Sequence, residues 1–246
     1  MSQLVGDLPE VDEFRSEGLI GDVITILKAG KEATAYLCSG GPNLHVPLAV
    51  AKVYHERARR NFANDSLYQE GRVILNGQVR RAVQGKSEFG RAAQGALWVD
   101  HEFEVLSNLQ YAGADVPEPY VCAESAILMQ YIGDESGAAP QLQHVSLHHD
   151  EAGRLRDRVL WNIELLLSQN VVHADLSPFN ILYDAGRPWI IDLPQAVDPR
   201  FSPSARTLLE RDLRNVSRYF SRQGAPFDDD RTARTLWNRW RFGELG

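Results

Sequence analysis

The sequence predicts an α+β fold in two lobes: an N-terminal antiparallel sheet with one main helix, then a reduced, mainly helical C-terminal lobe. Three observations predict it. Runs of β-branched and aliphatic residues separated by short turns crowd the chain up to Tyr54, helical periodicity begins only near Trp98, and beyond Gly133 the apolar residues recur mostly at spacings of three and four. A length of 246 residues suits one unit of two lobes, here 1–132 and 133–246.

The first twenty residues are an acidic lead-in with helical character. Val23, Ile24, Thr25, Ile26 and Leu27 form the first strand. Lys28, Ala29, Gly30 and Lys31 then turn the chain, and Thr34, Ala35, Tyr36 and Leu37 return it as a hairpin. A second turn through Gly40, Gly41, Pro42 and Asn43 leads to a strand over 47–54, in which Lys52 is the one charge in an apolar run. Residues 55–95 are polar and contain glycine, with a weak helical signal, and read as a mobile insertion in the first lobe. Trp98, Phe103, Leu106 and Leu109 mark a helix capped by Ala112 and Gly113. Pro117 and Pro119 cannot continue it, because each ring removes an amide donor and restricts the residue before it. Strands at 120–122 and 126–131 follow, and the stretch 133–137 reads as a hinge. Leu155, Val159, Ile163, Leu166 and Leu167 mark a long amphipathic helix ending near Asn170. Two apolar segments, at 171–173 and 181–183, flank a polar loop, and Trp189, Ile190 and Ile191 lead as a short strand onto Asp192. Helices are expected at 205–220 and 230–240.

With 43% hydrophobic and 24% charged residues, the composition excludes a disordered chain, and the apolar runs are too short for a bilayer-spanning helix. No secretory signal is readable, and Cys38 and Cys122 lack metal-ligand spacing, so a cytoplasmic protein with reduced thiols and no membrane partner is expected. The net charge of −7 argues against a chain that coats nucleic acid. Between Arg57 and Arg91, however, eight basic residues face three acidic ones. That insertion offers a site for an anionic partner, RNA of a ribosomal precursor or an acidic protein tail, and its bland alternative is a solvated loop.

The strongest chemical signal runs from His173 through Asp175 to Asn180, with Asp192 twelve residues further on at the end of the Ile-Ile strand. Phosphoryl transfer needs metal ions beside the phosphates and a carboxylate that orients the attacking group. Magnesium takes oxygen ligands and only one or two carboxylates, which Asn180 and Asp192 can supply, while Asp175 precedes Asn180 by the five positions of a kinase catalytic loop. His173, beside Val171 and Val172, reads as a packed scaffold residue. Lys52 inside an apolar strand demands a carboxylate or phosphate, and Glu102, four residues after Trp98 on the helix, is the partner expected.

These motifs together resemble the RIO family of atypical protein kinases over about 27–220. Gly30-Lys31-Glu32-Ala33-Thr34-Ala35-Tyr36 resembles its glycine-poor phosphate loop, Ala49-Val50-Ala51-Lys52-Val53-Tyr54 its lysine strand, and residues 98–109 its Trp-xxx-Glu helix. Val116-Pro117-Glu118-Pro119 is similar to its proline link, Met129-Gln130-Tyr131-Ile132-Gly133 to its hinge with Met129 as gatekeeper, and residues 191–197 to its metal-binding segment. Residues 208–220, with Arg211 and Asp212, resemble its closing helix, and 62–72 the flexible loop of its type-one branch. Ala174 departs from the usual glycine, Pro178 from an acidic residue and Gln130 from a glutamate; none is a metal or phosphate ligand, so these departures weaken the subgroup assignment more than the activity, and a divergent prokaryotic type-one-like member is the placement expected.

The resemblance implies a protein-kinase-like fold without an activation segment. It also implies an ATP- and magnesium- (or manganese-) dependent serine/threonine kinase or ATPase acting on an unidentified protein substrate, on itself or on water. Adenine would bond backbone groups of Gln130 and Ile132 behind Met129, and the loop around Lys31 would cover the phosphates. Lys52 would hold the α- and β-phosphates, steadied by Glu102. Asn180 and Asp192 would bind the metal, and Asp175 would orient the acceptor. Asp192 has a second implied role, as a transient phosphate acceptor. Two rivals stand beside this reading: a small-molecule phosphotransferase of the aminoglycoside or choline type, and a ribosome- or RNA-associated binding protein switched by ATP.

Overall fold

The computed structural model describes residues 8–55, 88–134 and 136–245, with side chains of the helix that begins at Glu88 described from Trp98 onward. Most of the expected insertion at 55–95, and the basic residues it carries from Arg57 to Lys86, therefore lie outside the described residues. The described residues form two units, one of 8–55, 88–104 and 118–131, the other of 105–117 and the remainder from Ile132.

In the first unit a short helix, α1 (Asp12–Ser16), precedes β1 (Ile20–Ala29), β2 (Ala33–Gly40) and β3 (Leu48–Tyr54). After α2 (Glu88–Tyr111) come β4 (Pro119–Cys122) and β5 (Ala126–Gln130), giving a sheet of order β1-β2-β3-β5-β4. Neighbouring strands are antiparallel, with Ala35 opposite Lys52 and Lys52 opposite Ile127. Side chains alternate across a strand, so Ala49, Ala51 and Val53 share one face of β3 and Lys52 points to the other. That shared face is core: with Val11, Phe14, Ile20, Val23, Cys38 and Leu128 it forms one buried cluster. Phe14 of α1 is fully buried there, which is worth roughly 1.5–3 kcal/mol and explains how five helical residues stay docked on a sheet.

Two elements extend beyond their expected bounds. β1 begins at Ile20 and runs to Ala29 through register irregularities that the alternation pattern does not display. α2 begins at Glu88, well before Trp98. Gly90 and Gly95 each cost a helix about 1 kcal/mol relative to alanine, and they blur the periodic signal in that stretch.

The second unit opens with a minimal hairpin, β6 (Gly133–Asp134) and β7 (Gly137–Ala138), at the expected hinge. It continues with α3 (His149–Ser168), the hairpin β8 (Ile181–Asp184) and β9 (Arg187–Ile190), then α4 (Ala205–Arg222) and α5 (Asp229–Arg241). α3 buries Leu155, Val159, Ile163, Leu166 and Leu167, the residues whose spacing predicts it. Residues 105–117 cluster with this unit, whereas the sequence reading counts everything up to 132 in the first. The physical reason is Asp115, which is fully buried. Its carboxylate accepts hydrogen bonds from Asn162 Nδ2 at 2.7 Å, Arg158 Nε at 2.6 Å and Arg187 Nε. Its amide donates to Asn162 Oδ1 at 2.8 Å, and its carbonyl accepts from the Ile190 amide at 2.7 Å. The link is thereby sewn to α3 and β9. Among the described residues no helix is long and apolar enough to cross a membrane.

Candidate active site

The hairpin register brings Asn180 and Asp192 together within the second unit. Ile181 pairs with Ile190, which sets Asn180 opposite Ile191, and the Ile191 amide donates to the Asn180 carbonyl at 3.0 Å. Asp192 is the next residue and has a left-handed backbone, φ 70°. Asn180 is buried, and its Nδ2 donates to the Asp175 carbonyl at 3.0 Å and to Asp175 Oδ2 at 3.2 Å. Both amide hydrogens are thus committed to Asp175, so Oδ1 is the side-chain atom suited to a cation. Asp175 itself is exposed.

His173 closes the arrangement. Its Nε2 lies 3.1 Å from the Ile191 carbonyl and its Nδ1 lies 3.3 Å from the Asp175 amide, a pattern that the Nε2–H tautomer satisfies. Burial pushes its pKa down against the Ile191 bond and the charges of Asp192 and Asp175, which keeps the ring neutral. The side chain is a scaffold strut that joins the segment before Asp175 to the segment before Asp192.

Asp212 of α4, absent from the sequence-predicted site, holds the same loop from below. It is almost fully buried, and its two carboxylate oxygens accept the amides of Ala174 at 2.8 Å and Leu176 at 2.9 Å, one on each side of Asp175. Arg211 donates to the Ala174 carbonyl, and Asn215 Nδ2 donates to the Leu176 carbonyl at 3.2 Å. Burial pushes the Asp212 carboxyl up to about 7, opposed by the two amides and by Arg211. Ala174, in the grip of these groups, has φ 64°, a left-handed conformation that glycine adopts without the steric cost alanine carries. The sequence does hold a signal for Asp212: a carboxylate on the stripe that α4 buries with Leu209, Leu213 and Val216.

The first unit holds a charged pair of its own. Lys52 Nζ lies 2.8 Å from Glu102 Oε1 and 3.1 Å from Oε2, with the glutamate side chain only 1% exposed. Tyr54, also buried, donates its hydroxyl to Glu102 Oε2, stands edge-on to Trp98, and its ring centroid is 5.2 Å from Lys52 Nζ. Tyr54 lies outside the sequence-predicted site, because an aromatic residue ending a strand reads as packing. Its hydroxyl and Lys52 together supply what a buried carboxylate requires.

The remaining candidates are spread along the first unit and the start of the second. Lys31 is exposed in the turn between β1 and β2, and its carbonyl lies 3.3 Å from His55 Nδ1. Met129 is buried on β5, opposite Val50. The Gln130 amide donates to the Glu118 carbonyl at 2.8 Å and its Oε1 accepts the Glu118 amide at 3.2 Å, so of its backbone groups the carbonyl is the one suited to an adenine contact. In the second unit the Ile132 carbonyl accepts the Ala139 amide at 3.0 Å, which points to the Ile132 amide as the group for a ligand. Among the described residues no three His, Cys, Asp or Glu side chains form a metal cage. Magnesium bound with phosphates needs none, and the Asn180 and Asp192 oxygens are donors of the required kind.

A family model for the RIO domain matches residues 49–233. The chain belongs to the RIO family. Among RIO relatives, the Rio1 serine/threonine-protein kinase of Thermoplasma acidophilum is 34% identical over 158 residues, which is 62% of this chain and 82% of the relative. The rio1 kinase of Schizosaccharomyces pombe is 28% identical over 216 residues, covering 85% of this chain but 40% of its own length. In fold the chain is similar to the Rio2 kinase of Chaetomium thermophilum, solved as an ADP/Mg2+-phosphoaspartate complex, with a TM-score of 0.64 and 22% identity over 92% of this chain and 65% of that one. The protein is thus a RIO-type atypical kinase with the two-lobed α+β fold of that family.

Proposed function

We propose that this RIO kinase uses ATP and magnesium to phosphorylate a serine or threonine of a protein, with Asp175, Asn180 and Asp192 as its reacting centre. The observation that carries the reading is the bonded chain from Asp175 through Asn180 to the Ile191 amide, which keeps an orienting carboxylate and two oxygen donors on one rigid loop and hairpin. Bound ATP with its metal would supply an electrophilic γ-phosphoryl group with its charge screened. Asn180 Oδ1 and the Asp192 carboxylate would hold the metal. The exposed Asp175 carboxylate would accept a hydrogen bond from the acceptor hydroxyl and aim its oxygen. Lys52 would face the α- and β-phosphates, kept charged and oriented by Glu102, which Tyr54 in turn restrains. Met129, the Gln130 carbonyl and the Ile132 amide would take the adenine, and the turn around Lys31 would lie over the phosphates.

A second reading assigns Asp192 as the phosphoryl acceptor, with water as the final one, and the phosphoaspartate in the Rio2 complex favours it. The Asp192 oxygen would form the new P–O bond as ADP leaves, and water would later cleave the acyl phosphate. Hydroxylamine-labile label on the protein separates the two readings, since phosphoserine resists that reagent. For either one, Asp175→Ala should lower ATP turnover at least about 100-fold while nucleotide affinity stays within about twofold. Loss of both together would count against the assignment.

A further inference from the structure

α4 has a second face. Arg211, Arg214, Arg218 and Arg222 follow one another at intervals of three and four, and at about 100° per residue they fall within an arc of about 80°. All four are exposed, on the side away from Leu209, Leu213, Val216 and Phe220. The stripe starts at the reacting centre, for Arg211 donates to the carbonyl of Ala174, the residue before Asp175. From there it runs along the helix for about 16 Å at 1.5 Å per residue. Its counter-charges are sparse. Arg214 approaches Asp229 at 3.9 Å, Glu210 is engaged by Arg206, and among the described residues Arg218 and Arg222 have no salt bridge or side-chain hydrogen bond. Like charges at such spacing destabilise a helix by roughly 0.2–0.5 kcal/mol per pair, a cost that no salt bridge among the described residues offsets at Arg218 and Arg222.

We propose that this stripe docks an acidic peptide, so that the kinase acts on a serine or threonine whose flanking residues are rich in aspartate and glutamate. The inference rests on the kinase reading and names its substrate class. Guanidinium groups pair with carboxylates in a two-pronged geometry, and a row of four spans about five residues of extended chain at 3.3 Å each. A peptide laid along α4 with its acceptor at Asp175 places the acidic run over Arg214, Arg218 and Arg222. An RNA strand fits less well: the row is short, and a chain of net charge −7 repels a long polyanion beyond it.

Fluorescence anisotropy tests the docking without any turnover. The probe is a labelled peptide with one serine followed by a run of glutamates, compared with the same peptide carrying glutamines. The acidic peptide should bind at least about tenfold tighter than the neutral one, and weaken about fivefold or more between about 50 and 300 mM salt. The double variant Arg218→Glu/Arg222→Glu should lose about tenfold or more, while Arg241→Glu, an exposed arginine of α5, should change affinity less than about twofold. Equal binding of the two peptides, or unchanged affinity in the double variant, would overturn the proposal. So would a labelled oligouridylate that binds more tightly than the acidic peptide and loses affinity in the same double variant. ATP turnover measured separately bears on the kinase reading alone, so the two can fail independently.

Discussion

Asp115 and Asp212 are both buried carboxylates of the second unit, and they are held in opposite ways. Burial alone would raise the Asp115 pKa, but hydrogen bonds from Arg158, Asn162 and Arg187 outweigh it and hold the carboxyl below its ordinary range. Around Asp212 burial prevails over two backbone amides and Arg211, and the carboxyl is pushed up to about 7. The first is a structural anion whose arginines reach the surface, 43% and 48% exposed. The second is an acceptor built under the loop that carries Asp175, where it is bonded directly to the backbone amides of Ala174 and Leu176. Charge partners fasten a link cheaply, while amide partners set geometry.

The comparison breaks most clearly by truncation. Asp212→Ala strands two buried amides and should cost about 2–5 kcal/mol in urea unfolding. Because it frees both sides of Asp175, it should also lower turnover per folded molecule at least about tenfold. Asp115→Ala should cost less, about 2–3 kcal/mol, because its half-exposed arginines can rehydrate, and it should leave turnover per folded molecule nearly unchanged. Equal losses of activity in the two variants would erase the distinction.

Acid–base titration of stability sharpens it. A depressed carboxyl stabilises the fold above its unfolded pKa of about 4, so the Asp115 contribution, read as wild type minus Asp115→Ala, should fade as pH drops below about 4. A raised carboxyl behaves inversely: the Asp212 contribution should be greatest near pH 4 and shrink as pH rises toward about 7. Parallel denaturant titrations at several pH values give both slopes. The smallest effect is expected at Ala174, where glycine relieves the left-handed strain but adds freedom to the unfolded chain. Ala174→Gly should stabilise by about 0.5–1 kcal/mol, visible as a small rise in urea midpoint at constant slope.

Legibility in the sequence follows the range of the interaction. Strands and helices are readable where one face repeats, as in α3 or in β3 with its lone lysine. Lys52 and Glu102 are conspicuous because a charge in an apolar run must be answered. The proximity of Asp175, Asn180 and Asp192 follows their fixed spacing, since a short loop joins the first two and a single hairpin the last two. Tyr54, Asp115 and Asp212 are not, because their partners lie far along the chain and their residue types suit a bland role equally well. The departures at Ala174 and Gln130 are visible, but their consequences need coordinates: a strained backbone in one case, and a side-chain bond to the Glu118 amide in the other.

The hairpin of β8 and β9 turns at Ala185 and Gly186, both exposed and with φ of 46° and 84°. Asn180 and Asp192 stand at its open end, so the tip is remote from the two side chains it brings together. Foreign sequence spliced into that tip would lengthen the loop without separating the strands' bases. A fluorophore or a small reporter domain grafted there would ride on the hairpin that joins Asn180 to Asp192, and would report optically on any shift of its base.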